Sequence, residues 1–356
     1  MDLSEKIKKN DPKNLYASVE DLSKQVEHAW EDAGKVEVPE SYKDIKNIIM
    51  CGMGGSGLGA RVIESVYFDK LKCPLVRVND YNLPPYCSEN SLVICSSYSG
   101  ETEETIQNAG EAIQKNAKWM VVAKGGKLID MAKEHHVPYY QIDPKFNTSQ
   151  QPRMAIGYSV IGQMVLAYKS GLIDLTNDDL KSVTNAMEEV KRVNNKEVVI
   201  SNASIELSNK IKDKIVIFVS AKHLVGASHV VNNQQNENSK NLCFDVSVPE
   251  LNHHLMEGLV HPFGNAENVV FIFFESDLYP ERIQKRMSIT QNVVRKNDIE
   301  FQVFKPKSAN FLSQAFEVIQ FGAYLDFYLS MQYEQDPTPI PWVDYFKVQL
   351  GQPLGK

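Results

Sequence analysis

Two runs of small and hydroxylated residues carry the first chemical signal in this chain. Gly52-Met53-Gly54-Gly55-Ser56-Gly57 follows the apolar stretch Ile48-Ile49-Met50-Cys51. Ser96-Ser97-Tyr98-Ser99-Gly100-Glu101-Thr102 follows another, Leu92-Val93-Ile94-Cys95. Glycine lets the backbone approach a ligand closely and take positive φ. A helix opening after each run presents unsatisfied N–H groups, and the hydroxyls add donors of their own. Two such turns at the ends of neighbouring parallel strands aim those donors at one spot, which suits a phosphate. The candidate phosphate ligands are therefore Gly54, Gly55, Ser56, Ser97, Ser99 and Thr102.

The first turn alone admits other readings. It lacks the Gly-Lys-Ser/Thr ending of a Walker A loop. Gly52, Gly54 and Gly57 do fit G-x-G-x-x-G, and Asp80 follows the next strand about where a ribose-binding acid stands, so a dinucleotide site is a rival. The second turn weighs against it, because a nicotinamide site has no use for that Ser/Thr cluster. Turn forming and N-capping explain Ser97, Ser99 and Thr102 without a ligand, but capping does not exclude phosphate contact.

Two later stretches hold titratable groups. Glu237 lies in Asn232-Asn233-Gln234-Gln235-Asn236-Glu237-Asn238-Ser239-Lys240, which is strongly polar yet falls where a buried helix belongs. Partial desolvation there raises a carboxyl pKa towards proton transfer, whereas a solvated glutamate does nothing. Pro249-Glu250-Leu251-Asn252-His253-His254 contains imidazoles able to pass a proton near neutral pH. His253, His254, His261 and Glu257 also include zinc-ligand types, but adjacent side chains point apart, and no metal site is expected.

These groups need a scaffold. Strands are expected at Asn47–Cys51, 74–79, Ser91–Ser96, 119–123 and 138–142, alternating with helices at 58–68 and 103–116. That alternation predicts βαβ units and a parallel sheet covered on both faces. An amphipathic helix is expected at 15–33, a helical region at 154–172, and polar helical sequence at 176–212. The pattern then recurs: Lys214-Ile215-Val216-Ile217 stands like Lys46-Asn47-Ile48-Ile49, 268–274 like 91–95, and Glu300–Phe304 like 118–122. A duplicated α/β domain follows, but the second copy lacks both turns. The expected organisation is a helical segment at 1–40, a first domain at 41–175, a helical bridge at 176–212, a second domain at 213–330 and a tail at 331–356. The tail, with three prolines and a short apolar segment, is expected to lie against the body of the protein.

Composition narrows the function. A length of 356 residues fits two moderate domains, and 43% apolar with 23% charged content describes a globular protein with a sizeable core. A net charge of −7 argues against a nucleic-acid surface and requires that any phosphate be held by local donors. No apolar run approaches the roughly 20 residues that span a bilayer, so no membrane partner is expected. The N-terminal sequence has no apolar signal core, which predicts a cytoplasmic protein. Five scattered cysteines read as reduced and mostly buried.

The pairing of strand-GMGGSG with strand-SSYSGETEET resembles the sugar isomerase (SIS) domain. Two copies in a chain of this size, with the later stretches, resemble the bifunctional phosphoglucose/phosphomannose isomerases of archaea and some bacteria. The resemblance covers about 45–347. It implies two SIS-type three-layer α/β/α domains, each with a parallel sheet of flavodoxin-like character, and isomerisation of hexose 6-phosphates. It assigns the proton-transferring base to Glu237 and ring opening to His253 with Lys347. Family members usually read Asn-His-Asn at the histidine, so His254 departs from the pattern. Arg153, in Gln151-Pro152-Arg153-Met154, matches the arginine that stabilises the enediolate, and Thr338 is a peripheral candidate. The resemblance further implies a homodimer with His253 donated across the interface, and no redox cofactor or obligatory metal. Its alternatives are another SIS enzyme, such as the isomerase half of glucosamine-6-phosphate synthase, and a sugar-phosphate sensor. The chain has no cysteine-led glutaminase domain and no helix-turn-helix before the first strand. A sensor would not need Glu237, His253 and Lys347 together.

Overall fold

Short runs rich in Val, Ile and Leu build the first sheet. β1 (Asn47–Cys51), β2 (Leu75–Val78), β3 (Ser91–Ser96), β4 (Lys118–Ala123) and β5 (Tyr139–Gln141) are all parallel, in the order β2-β1-β3-β4-β5. This is a flavodoxin-like strand order. Every residue of β3 is buried, as an apolar strand covered on both faces requires. Crossovers run through α1 (Leu58–Val66) and α2 (Glu103–Gln114), and α3 (Ile156–Lys169) packs against α1. Almost all of α3 is buried, since helix Leu22–Ala33 also covers it. Its apolar character all round answers to that double cover.

The second sheet repeats the plan. β6 (Ile215–Ser220), β7 (Cys243–Ser247), β8 (Val269–Phe274) and β9 (Glu300–Phe304) are parallel in the order β7-β6-β8-β9, the first sheet's order without a fifth strand. The three recurring segments fall on β6, β8 and β9, each in the place of its counterpart in the first sheet. Helix α4 (Val225–Asn238) follows β6, and α5 (Phe311–Gln332) packs along it, buried over nearly its whole length. Gly322 permits that approach, since a Cβ there would lie 2.3 Å from Val231 Cγ2. Aromatic packing fills this core: Phe304 stacks on Phe321 with centroids 3.9 Å apart, and Phe218 on Phe274 at 5.6 Å.

This computed structural model describes residues 2–198 and 200–351. The chain divides into two units, Asp21–Leu180 with the segment from Pro339, and Lys181–Thr338 with the N-terminal residues through Glu20. Those N-terminal residues are integral to the latter. Leu15 and Val19 are fully buried, Gln320 of α5 donates to the Val19 carbonyl at 3.0 Å, and the Tyr16 ring lies 5.1 Å from that of Phe327.

One helical expectation needs correction. The helix expected at 15–33 is two, Leu15–Glu20 and Leu22–Ala33, divided at Asp21. The 176–212 stretch is helical in two pieces, Asn177–Asn194 and Ala203–Ile211. The tail folds as α6 (Pro341–Gln349), and Trp342 is 82% exposed, with Tyr345 and Phe346 also open, so its apolar side chains are not packed down as expected. Among the described residues no helix is long and apolar enough to cross a membrane.

Candidate functional site

The two Gly/Ser runs sit side by side at the carboxyl ends of β1 and β3, where the strand order reverses direction and open parallel sheets bind ligands. The first run continues as a short 3-10 turn, Gly54–Gly57, leading into α1. Gly54 opens it at φ +48°, a left-handed conformation in which a side chain is strained. At Gly52 a Cβ would lie 3.0 Å from the Ser96 carbonyl oxygen, so the two runs touch through their backbones.

Hydroxyls lock them together. The Tyr98 N–H donates to Ser56 Oγ at 2.9 Å. Ser97 Oγ and Thr102 Oγ1 are 2.7 Å apart, and Ser97 Oγ also accepts the Gly100 N–H at 3.1 Å. Ser99 Oγ accepts the Glu101 N–H at 3.2 Å. Thr102 occupies the N-cap of α2 without a side-chain capping bond, because its hydroxyl is turned to Ser97. Ser97 is completely buried and holds Thr102 in place, whereas Ser56, Ser99 and Thr102 are partly open.

Beneath this cup is a residue that the sequence reading missed. Gln163, 1% exposed on α3, donates from Nε2 to the Ser56 carbonyl at 2.9 Å, Ser96 Oγ at 3.1 Å and Ser159 Oγ at 3.2 Å. Its signal was a polar pair, Ser159 and Gln163, four residues apart in an otherwise apolar helix. Arg153 lies in the 3-10 turn Pro152–Met154 just before α3, is 2% exposed, and donates to Gln151 Oε1 at 3.1 Å. A Cβ on Gly55 would stand 3.4 Å from Arg153 Cα, so the arginine backbone packs directly on the first Gly/Ser turn.

Glu237 and His253 belong to the unit of the second sheet. The polar stretch around Glu237 is indeed helical, the last turns of α4, with Gln234, Gln235 and Asn238 buried and Glu237 half-buried. Earlier on the same helix His229 Nδ1 lies 2.8 Å from Asp245 Oδ1 of β7. His253 ends the 3-10 turn Glu250–His253 after β7 and is exposed, as is His254, whose Nε2 is 3.8 Å from Glu250. Asn252 anchors this turn by donating to Thr290 Oγ1 at 2.7 Å and accepting from Arg286 at 3.2 Å. Among the described residues no three His, Cys, Asp or Glu side chains gather as a metal site, and His261 and Glu257 are exposed. Lys347 is half-buried on α6, and Thr338 is buried with its hydroxyl donated to Asp336 at 2.7 Å.

After β6, where the first Gly/Ser turn would recur, the second copy closes the space. Lys222 takes φ +48° where Gly54 does so in the first copy. The next residue, His223, is fully buried, stacked on Phe311 at 4.3 Å with Tyr279 edge-on at 5.3 Å. Its Nε2 lies 2.8 Å from Gln314 Oε1, which also accepts from Ser276 Oγ at 2.6 Å. Burial holds the His223 pKa down to about 4, so the ring is neutral at pH 7.

Known proteins resemble this chain over most of its length. The family model described as bacterial phospho-glucose isomerase C-terminal SIS domain matches residues 200–350. A bifunctional phosphoglucose/phosphomannose isomerase of Caldicellulosiruptor bescii is 30% identical over 348 residues, covering 95% of this chain and 99% of the relative. One from Aquifex aeolicus is 28% identical, covering 94% and 98%. In fold, the crystal structure of a hypothetical protein from Thermus thermophilus matches with a TM-score of 0.75 at 14% identity, over 98% of this chain and 92% of that one.

Proposed function

Because the chain belongs to the bifunctional phosphoglucose/phosphomannose isomerase family and is a hexose 6-phosphate isomerase, we propose that it works by proton transfer through a cis-enediolate. The phosphate is held by the Gly54, Gly55, Ser56, Ser97, Ser99 and Thr102 turns, remote from the reacting carbons. His253 and Lys347 open the ring. Glu237 moves the proton between carbons 2 and 1, and Arg153 stabilises the enediolate oxygen with its fixed charge. Glucose and mannose 6-phosphates differ only at carbon 2, which the shared enediolate makes planar, so one site serves both. The steps require no redox cofactor or metal.

The observation that carries the phosphate assignment is the join between the two turns, the Tyr98 N–H on Ser56 Oγ at 2.9 Å. It fixes the donors before any ligand arrives, so binding costs little reorganisation. A cytoplasmic homodimer completes the reading, with His253 passed to the partner's site. The support for the dimer is the exposure of His253, of Phe263 at 89% and of Trp342 at 82%.

A coupled assay from fructose 6-phosphate, following glucose 6-phosphate and mannose 6-phosphate separately with and without chelator, tests this. Both products, unaffected by chelator, are expected. Chelator-sensitive turnover would overturn the metal-free mechanism, and absence of both products would leave a sugar-phosphate sensor as the better account.

A further inference from the structure

We infer that Gln163 is a positioning residue for phosphate binding, setting the spacing between the two loops that receive the substrate's phosphate. The inference rests on the phosphate reading above and adds to it a residue that contacts no substrate.

Three features of the amide carry the argument. First, its orientation is fixed: the Ser56 carbonyl only accepts, so the nitrogen must face it. One N–H is thereby committed to the first loop, and the other is shared between Ser96 Oγ, at the start of the second loop, and Ser159. Second, the residue is 1% exposed, so water does not substitute for these bonds without opening the core. Third, the loops have nowhere to relax, because Gly59 packs on the Gln163 side chain (a Cβ there would lie 2.6 Å from Cδ) and Gly52 abuts the Ser96 carbonyl.

The duplicated unit supplies an internal comparison. Gln314, on α5, likewise joins the turns after the first and third strands of its copy, through His223 and Ser276. There the turn is closed by the His223 ring. A buried amide thus joins the two turns in both copies, through its donating nitrogen at the open cup and through its accepting oxygen at the filled one. A purely structural role for the amide predicts the same consequences in both, and a positioning role predicts a difference.

The experiment compares Gln163→Leu and Gln314→Leu in the full-length enzyme. Its readouts are unfolding stability, fructose 6-phosphate affinity by calorimetry, and KM and kcat. Both variants are expected to lose stability. Only Gln163→Leu is expected to weaken affinity and raise KM, by about tenfold or more, with kcat changed by less than about threefold. Gln163→Asn, one methylene short, provides a second variant in case the leucine does not fold, and is expected to weaken affinity in the same direction. Unchanged affinity in the Gln163 variants, or equal loss in the Gln314 variant, would overturn the positioning role. Failure of the wild-type enzyme to bind the sugar phosphate would instead overturn the phosphate reading itself.

Discussion

Ser56 Oγ accepts the backbone N–H of Tyr98 at 2.9 Å, joining the turn after β1 to the turn after β3. The bond uses a lone pair of the hydroxyl and leaves its hydrogen to donate, so under the proposed function one side chain both joins the turns and offers a donor to the phosphate. Ser56→Ala removes both functions and strands the Tyr98 amide. A rise in KM of about tenfold is expected, with stability lower by about 1 kcal/mol and kcat nearly preserved. Steady-state kinetics with a denaturation curve check this. A fall in kcat at constant KM would place Ser56 among the groups acting on the reacting carbons.

Glu237→Gln and His253→Ala should each reduce kcat by about 10²- to 10⁴-fold, because each removes a group to which the proposed mechanism assigns proton transfer. Mixing the two variants distinguishes where the histidine acts. If it is passed to the partner, a mixed dimer contains one site with both residues intact, and random reassociation should restore about a quarter of wild-type activity. If each subunit uses its own histidine, every site carries a defect and activity stays at the level of the single variants.

His223 sets an acid limit on stability. Its pKa is about 4 in the folded protein against an ordinary 6.5, so the unfolded chain binds the proton more readily between these values. Stability from keeping the ring neutral is complete above about pH 6.5 and is lost as the pH falls through about 4. Denaturation series should show roughly 2 kcal/mol of this loss between pH 6.5 and 4.5. In His223→Gln the slope in that window should flatten. An unaltered slope would mean that other groups govern it.

Asp326 works in the opposite direction. It is wholly buried on α5, neither carboxylate oxygen has a hydrogen-bond partner among the described residues, and burial pushes its pKa well above the usual carboxylate range. The folded state therefore keeps a proton that the unfolded state releases, and stability falls as the pH rises from the ordinary carboxylate value towards the raised one. Asp326→Asn is neutral throughout, so its stability should not show this fall as the pH rises. Parallel pH curves for the two proteins would contradict a neutral buried carboxyl.

The parts of the molecule legible in the sequence are those where one local rule governs. The strands of the first sheet read clearly because buried parallel strands are short runs of Val, Ile and Leu. The two turns read clearly because glycine and hydroxyl residues cluster only for a backbone reason or a ligand. Strand β7, Cys-Phe-Asp-Val-Ser, is a sheet edge with a mixed pattern, and nothing in its five residues announced it. Helix α5 is buried all round, so it has no amphipathic period to detect. The break at Asp21 was hidden because both flanking segments keep helical spacing. Gln163 escaped notice for a different reason: its meaning lies in Ser56 and Ser96, distant in the chain and adjacent only in the fold.

The burial of Leu15 and Val19 against a unit otherwise made from residue 181 onwards has a consequence for biosynthesis. Residues 15–20 are polymerised nearly three hundred residues before α5, whose Gln320 and Phe327 receive them. At about 5–20 residues per second, that interval is about 15–60 s. Over that time an apolar segment has no native surface to bury against, while the strands of the first sheet can already pair. The newborn chain therefore carries a waiting segment, and the later-made unit reaches its final form only once α5 has been made to receive it.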